Sequence, residues 1–289
     1  MKIITWNVNG IRSRIFNEYI STKLKKGQSI APVDNSPIKK LLEEHSPDVI
    51  CLQETRCSIK NSEKITIEGY KCFFNESKME GARAADRYSG TAVFYKENMK
   101  VVNVSTELPG YTDNEGRIIV ITFDTFKCVT VYAPNSGTNY ESKISFMEAM
   151  LSYLNDITQP VVFCGDLNVA VSTHFDKSKV PEGPGYYSHE LDFYSNLQTI
   201  GYSDAIKDDD IIYTWWDPRQ RKENGMALTR NRNKGWRLDY FFTKNFTTNQ
   251  IASKCLKYIG ENNESIPLAS DHAPVLLEIN NIQRPSESQ

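Results

Sequence analysis

Val161-Val162-Phe163-Cys164-Gly165-Asp166-Leu167-Asn168 runs from four apolar residues into a glycine, an acid and an amide. The apolar part is short and made of β-branched, aromatic and small residues, so it reads as a strand buried on both faces. It hands over a carboxylate and an amide at its C-terminal end. The same arrangement recurs three times: residues 2–6 lead into Asn7-Val8-Asn9-Gly10, residues 48–52 into Gln53-Glu54, and residues 128–132 into Ala133-Pro134-Asn135. Polar groups delivered this way can converge on one rim of a sheet, the usual place for a site in an α/β protein. Ser270-Asp271-His272 precedes the last apolar run, 273–279, and reaches the same rim if that strand is antiparallel to the others.

Working outward, further strands are expected over 91–95, 117–123 and 237–243. Residues 37–45 read as a helix with Ser36 as N-cap and Pro37 at its first position. Residues 141–154 place Ile144, Met147, Leu151 and Leu154 at helical spacing. Residues 189–200 form a third helix between Ser188 as cap and Gly201 as stop. Some strands are joined by turns and others by helices. This mixture predicts a strand-rich α/β sandwich with mixed sheets, not a purely parallel wound sheet. No repeat or Pro/Gly/Ser linker divides the chain, so residues 1–280 are expected to form one domain, with 281–289 a disordered tail. Stretches 14–37, 76–89 and 217–235 read as surface loops.

The 289 residues are 39% hydrophobic and 24% charged, enough for a core that needs neither disulfides nor structural metal. The six cysteines include no C-x-x-C pair, which points to reduced thiols in an intracellular, reducing compartment such as cytoplasm or nucleus. The N-terminal residues lack the long apolar stretch and cleavage site of a secretory signal, so secretion is not expected. No apolar run approaches the ~18 residues of a membrane span. A net charge of −2 gives no global signal for nucleic acid. Positive charge is instead concentrated locally: Arg219, Arg221, Lys222, Arg230, Arg232 and Lys234 stand against only Asp217 and Glu223.

Asp239 falls within an apolar run, Trp236-Arg237-Leu238-Asp239-Tyr240-Phe241-Phe242. A carboxylate buried alone is costly, so it needs a partner, and His272 is the natural candidate. Glu, Asp, Asn and one His at strand ends make an oxygen-rich set with no zinc-like Cys/His spacing. Such a set suits Mg²⁺, with Mn²⁺ as the substitute, and points to phosphoester chemistry.

Eight motifs occur in order: Trp6-Asn7-Val8-Asn9-Gly10-Ile11-Arg12, Leu52-Gln53-Glu54-Thr55-Arg56, Tyr88-Ser89-Gly90-Thr91-Ala92, Glu115-Gly116-Arg117, Val131-Tyr132-Ala133-Pro134-Asn135, Cys164-Gly165-Asp166-Leu167-Asn168-Val169-Ala170, Gly235-Trp236-Arg237-Leu238-Asp239-Tyr240 and Ser270-Asp271-His272. Together they resemble the exonuclease III family of apurinic/apyrimidinic (AP) endonucleases, within the DNase I-like endonuclease/exonuclease/phosphatase superfamily. The resemblance implies a four-layered α/β sandwich of two face-to-face mixed sheets with helices outside. It implies Mg²⁺-dependent cleavage of duplex DNA 5′ to an abasic site by a monomer, leaving a 3′-hydroxyl and a 5′-deoxyribose phosphate, with 3′-phosphodiesterase and 3′→5′ exonuclease activity alongside. A metal-dependent phosphatase or another nuclease of the superfamily is the competing reading. By the resemblance Glu54 is the principal metal ligand, with Asn7, Asn9, Asp166, Asn168, Asp271 and His272 as further candidates around it. Asp166, oriented with Asn168, activates or protonates in the reaction, and His272 paired with Asp239 stabilises the phosphate. Tyr132 and Asn135 contact phosphate, Tyr132 assisting the leaving group. Trp215, Trp236 and Leu238 line an abasic pocket, and Arg12, Tyr88 and Arg117 touch the DNA. The loops 14–37 and 217–235 are longer than the family's, the second with an insertion over 222–228 expected to strengthen the grip on DNA. The segment 171–187 departs as well.

Overall fold

Side chains along a strand alternate between faces, and that alternation builds the layers of this fold. The computed structural model describes residues 1–15, 32, 36–206, 212–219, 222–223, 226–246, 251–256 and 270–280. One six-stranded sheet contains β1 (Lys2–Asn7), β2 (Val49–Gln53), β3 (Tyr70–Asn75), β4 (Thr91–Lys96), β13 (Ile251–Cys255) and β14 (Val275–Ile279), in the order β13-β14-β1-β2-β4-β3. The other contains β5 (Val101–Ser105), β6 (Ile118–Phe123), β7 (Lys127–Tyr132), β8 (Val161–Asp166), β9 (Ser203–Asp204) and β12 (Asp239–Lys244), in the order β5-β6-β7-β8-β12-β9. A hairpin of β10 (Lys222–Glu223) and β11 (Met226–Ala227) stands apart. The helices are α1 (Arg12–Ile15), α2 (Pro37–His45), α3 (Ile59–Ser62), α4 (Tyr140–Asn155), α5 (Ser188–Thr199) and α6 (Leu228–Asn231).

Three apolar clusters arise from the alternation. Ile3, Cys51, Val93 and Leu277 of the first sheet meet Ile119, Cys128, Val162, Cys164 and Phe241 of the second, filling the space between the sheets. Cys51 and Cys128 touch across it, Sγ to Sγ 3.7 Å. Ile4, Trp6, Ile50, Leu52 and Leu276 face the other way and pack with Ile38 and Leu41 of α2. Val129, Val161, Phe163, Tyr240 and Phe242 likewise pack under Phe146, Met150 and Leu154 of α4 and Phe193 and Leu197 of α5. The result is the four-layered sandwich with two mixed sheets, as the motifs implied. No helix among the described residues is long and apolar enough to cross a membrane.

Several boundaries differ from the sequence reading. The first strand runs one residue further, to Asn7, and β8 runs to Asp166. Asp239 is not in mid-strand but is the first residue of β12, directly opposite Asp166. Ser188 is the first residue of α5 rather than its cap; the Glu190 carboxylate accepts from Tyr187 N (3.0 Å) and closes that end one residue earlier. Gly201, at φ 94°, does stop it. The buried face of α4 is turned relative to expectation. Lys143, Phe146, Met147, Ala149, Met150 and Leu154 are buried, while Ile144 and Leu151 are half-buried. The sequence reading leaves β3, β5, β9, β10, β11 and β13 unassigned; the stretch 217–235, read as a surface loop, holds the β10–β11 hairpin and α6. Most of 14–37 and all of 281–289 lie outside the described residues.

Candidate active site

The parallel pairs β1–β2 and β7–β8 and the antiparallel partners β14 and β12 bring their polar ends to one rim. On β1 the inward positions are Ile3, Thr5 and Asn7, and on β8 Val162, Cys164 and Asp166, so the last inward residue of each strand is polar. Gln53 Nε2 donates to Thr5 Oγ1 on its own sheet and to Thr130 Oγ1 on the facing one, both at 3.0 Å. One step closer to the rim, Asn7 Nδ2 donates to Glu54 Oε1 and to Asp166 Oδ2, each at 2.9 Å. A single amide thus ties carboxylates from the two sheets together. Ser270 Oγ donates to Asn7 O (2.6 Å), and Trp6 Nε1 to His272 O (3.1 Å), which fixes the 270–272 segment against β1.

Asp166 and Asp239 face each other across β8 and β12. Two carboxylates directly opposite repel, and burial makes the repulsion worse. His272 resolves it: Nδ1 lies 2.8 Å from Asp239 Oδ2, and Nε2 lies 3.8 Å from Asp166 Oδ2. Burial is the strongest influence on His272 and opposes its charge. Asp239, Asp166 and Asp271 together outweigh it and push its pKa up to about 10. The ring is therefore an imidazolium at neutral pH, an N–H donor at both nitrogens. Burial, with Asp239 in support and His272 and the Asn7 bond opposing, raises Asp166 to about 7. A carboxyl poised there can both take and give a proton near neutrality.

Backbone strain marks the same place. Asn9, Glu54, Arg56 and Asn168 all have φ between 46° and 49°. Asparagine tolerates this left-handed region; Glu54 and Arg56 do so at a cost, as residues at functional turns often do. Arg56 Nη2 then closes on Glu54 Oε2 at 2.6 Å. In β8, Gly165 has no alternative: a Cβ there would lie 2.0 Å from Val131 O.

Further contacts brace the cluster from outside. Asn168 N donates to Asp166 Oδ1 (2.9 Å) and its Nδ2 to Ala133 O (3.0 Å), while Asn135 Nδ2 donates to Asn168 Oδ1 (3.3 Å). Tyr132 is held under the Arg117 guanidinium, 4.7 Å from ring centroid to Cζ. Burial and the carboxylates of Glu54 and Asp166 push its pKa well up against the opposing Arg117, so the hydroxyl stays protonated. Arg117 itself is buried, pairing with Glu115 (2.7 Å) and donating to Tyr132 O (2.9 Å) and Tyr88 Oη (3.1 Å). It braces Tyr132 and Tyr88 rather than standing free at the surface. Arg12 is exposed and reaches away to Asp86 O (3.0 Å). Asp271 accepts from Asn9 Nδ2 and Trp215 Nε1, both at 3.0 Å. Trp215 meets Trp236 edge-on at 5.6 Å, and Trp236 meets Phe175 and Tyr186 at 5.7 and 5.6 Å. Leu238, two residues after Trp236, is buried.

The structure thus brings Asn7, Asn9, Glu54, Tyr132, Asn135, Asp166, Asn168, Asp239, Asp271 and His272 into one network, with Trp215 attached to it; Arg12 is not part of it. The basic loop is less available than its composition suggests. Arg219 is chelated by Asp217 (Nε 2.9 Å, Nη2 3.1 Å), and Arg230 is buried over Trp216, donating to Ser270 O (2.9 Å). Arg232 and Lys234 are exposed. Arg56 and Gln53 make contacts in and beneath this network that the sequence reading leaves without a role, although both stand in a motif it quotes. Glu54 and Asp166 oxygens around one amide form a hard-donor set suited to a divalent cation. Asp166, Asp239 and His272 offer ligand atoms within 4.8 Å of one another, but a protonated His272 has no lone pair for a metal.

Compared with known proteins, the chain matches the Endonuclease/Exonuclease/phosphatase family over residues 4–272. It is 31% identical to an exodeoxyribonuclease of Bacillus subtilis over 291 residues, covering 97% of this chain and 100% of the relative. A DNA-(apurinic or apyrimidinic site) endonuclease of Dictyostelium discoideum is 29% identical, with 95% of this chain and 69% of the relative covered. Among solved structures, an AP endonuclease from Archaeoglobus fulgidus has a TM-score of 0.73 at 21% identity, covering 97% of this chain and 100% of that one.

Proposed function

This chain belongs to the endonuclease/exonuclease/phosphatase family, and we propose that it hydrolyses the backbone of duplex DNA 5′ to an abasic site as a DNA-repair AP endonuclease. The products are a 3′-hydroxyl and a 5′-deoxyribose phosphate, and the same site serves 3′-phosphodiesterase and 3′→5′ exonuclease reactions. The observation that carries this reading is the meeting of Glu54, Asp166 and the His272–Asp239 pair around the Asn7 amide.

Glu54 would hold the cation, Mg²⁺ by the hardness of the donors with Mn²⁺ as substitute, with Asn7 orienting its carboxylate through Nδ2 and Asp271 and Asn9 standing next to them. When bound, the cation supplies positive charge against the phosphate. The chain's own residues do the rest. His272 presents its Nε2–H to the phosphate oxygens and so stabilises the added charge of the pentavalent state. Asp166 moves the proton, its Oδ1 fixed by Asn168 N. Tyr132, kept protonated, can donate to the leaving oxygen, and the amides of Asn135 and Asn168 orient the phosphate. Trp215, Trp236 and Leu238 would line a pocket for the bare sugar, because an abasic nucleotide leaves the stack at lower cost than one with a base. Tyr88 and Arg117 support DNA binding through Tyr132. The protein acts as a monomer, and its buried thiols fit a reducing intracellular compartment.

A duplex carrying a tetrahydrofuran abasic analogue tests the reading. Incision should occur with Mg²⁺ and stop with EDTA; incision in EDTA would overturn it. The cation's place is tested without catalysis. Saturating Mg²⁺, at about 100 times its dissociation constant, should stabilise the fold by about 2.7 kcal/mol. Glu54→Gln should lose most of that gain in thermal unfolding. An equal gain in the variant would place the cation elsewhere.

A further inference from the structure

Lys143 has 0% exposure, although it lies on α4 in line with Phe146, Met147 and Met150 on the face that meets the second sheet. An ammonium in such a layer is costly unless every proton finds an acceptor. An apolar side chain of similar length could fill the same space, so packing alone does not account for a lysine here. What the lysine adds is its grip. Nζ donates to Leu167 O and, at 3.3 Å, to Asn168 O. Those carbonyls belong to the turn after β8. From the sheet side, Leu167 N donates to Leu238 O at 2.9 Å, and Asn168 is held by its bonds to Asp166 and Ala133 and by the Asn135 amide at 3.3 Å. Lys143 holds it from the helix layer, opposite the cleft.

The balancing charge is also in place. Glu190 on α5 has 0% exposure; burial lowers the pKa of Lys143 to about 8, and the Glu190 charge opposes that and helps keep the ammonium at neutral pH. Its carboxylate accepts from Ser136 Oγ at 2.5 Å and from Tyr187 N at 3.0 Å. Ser136 comes directly after Asn135, the residue whose amide reaches Asn168 Oδ1. Lys143 and Glu190 thus anchor, from behind, the two loops that meet at the Asn135–Asn168 contact.

We propose that Lys143, with Glu190, is a positioning residue for phosphodiester hydrolysis: it fixes the Asp166-Leu167-Asn168 turn so that the Asp166 carboxyl and the Asn168 amide are aimed at the scissile phosphate. It does not touch substrate, and the role rests on the hydrolytic function proposed above.

The test uses the full chain, the tetrahydrofuran duplex and Mg²⁺. Lys143→Met should lower kcat by about 10- to 100-fold with KM unchanged, the size of effect that small misplacement of a reacting group produces. Amide hydrogen exchange at Leu167 and Asn168 should quicken in the same variant. Lys143→Arg, which keeps donors for both carbonyls, should recover much of the lost kcat. Met150→Ala is the control for packing alone: it cuts into the same helix face away from the turn and should destabilise while leaving kcat of the folded protein unchanged. Should Lys143→Met fail to fold, Lys143→Gln, which retains a donor, is read by the same kcat and exchange criteria. Full kcat in Lys143→Met, or in Lys143→Gln where it takes that variant's place, or an equal kcat loss in Met150→Ala, would overturn the proposal. Absence of cleavage by the unaltered protein would instead overturn the functional reading on which it rests.

Discussion

Asp166→Asn should lower kcat on the abasic duplex by about 10²- to 10⁴-fold, the range attached to a positioned proton-transfer group, while the protein stays folded. The two halves of this expectation have separate causes. Activity falls because an amide neither takes nor releases a proton at neutral pH. Stability holds because the substitution removes one of two buried carboxylates that face each other across β8 and β12. Burial already presses Asp166 toward its neutral form, to about 7, so a permanently neutral group relieves part of that stress. Its Oδ1 can still accept from Asn168 N, while the new NH₂ meets Asn7 Nδ2 as donor against donor. The relief and the clash oppose each other, so Tm should move by no more than about 4 °C, the shift produced by roughly 1 kcal/mol in a chain of this size. Measured kcat together with a melting curve decides the matter. A variant that melts far lower would make the loss of activity uninformative, and one that keeps its rate would remove Asp166 from the reaction.

Why such residues could be singled out in the chain, and others not, depends on the kind of signal each leaves. A carboxylate or amide after four apolar residues marks a strand end, so Asn7, Glu54, Asp166 and Asn168 stood out by position. Face-to-face alternation then decides which of them point inward, and alternation was legible in β1 and β8 because their neighbours are uniformly apolar. Asp239 was misplaced within its strand because Trp236, Arg237 and Leu238 before it look as strand-like as Tyr240, Phe241 and Phe242 after it. The backbone of Trp236 instead pairs only in isolated bridges with Thr173 and Trp215. The outer strands were missed for another reason. β3, with Lys71 and Cys72 exposed, and β5, with Val102 and Asn103 exposed, lie at sheet edges and carry mixed patterns that resemble loops. Lys143 left a usable trace: a charged residue three, four and seven positions before Phe146, Met147 and Met150 sits on the face of the helix that should be apolar. Arg117 left none. Nothing in Glu115-Gly116-Arg117 tells that the guanidinium is buried against Tyr132, since that depends on the pairing of β6 with β7.

Asp239→Asn isolates the charge that supports the imidazole. The introduced amide keeps the shape of the carboxyl and can still accept from His272 Nδ1–H, but the largest charge favouring protonation is gone. Burial, which opposes the charge, is then met only by Asp166 and Asp271, and the pKa of His272 should fall from about 10. The stability effect has a definite sign. A histidine whose folded pKa is raised contributes stability that is complete below 6.5 and is lost as pH rises through about 10. Unaltered protein should therefore lose this contribution between those limits, whereas Asp239→Asn, with the shift reduced, should lose less and at lower pH. As the ring loses its proton, the imidazole retains one N–H, committed to the introduced amide or to phosphate but not to both. Loss of the charged donor should lower kcat by about 10²- to 10³-fold, as removal of a single oxyanion donor does. Asp239→Ala, which also strips the hydrogen-bond acceptor, should in addition destabilise by about 1–3 kcal/mol, because it leaves the buried Nδ1–H without a partner. Titration of the His272 ring by NMR in the unaltered protein and in Asp239→Asn reads the cause directly. If the ring titrates at the same pH in both, Asp239 does not hold the imidazolium, and the stabilisation of the phosphate must be sought in other donors.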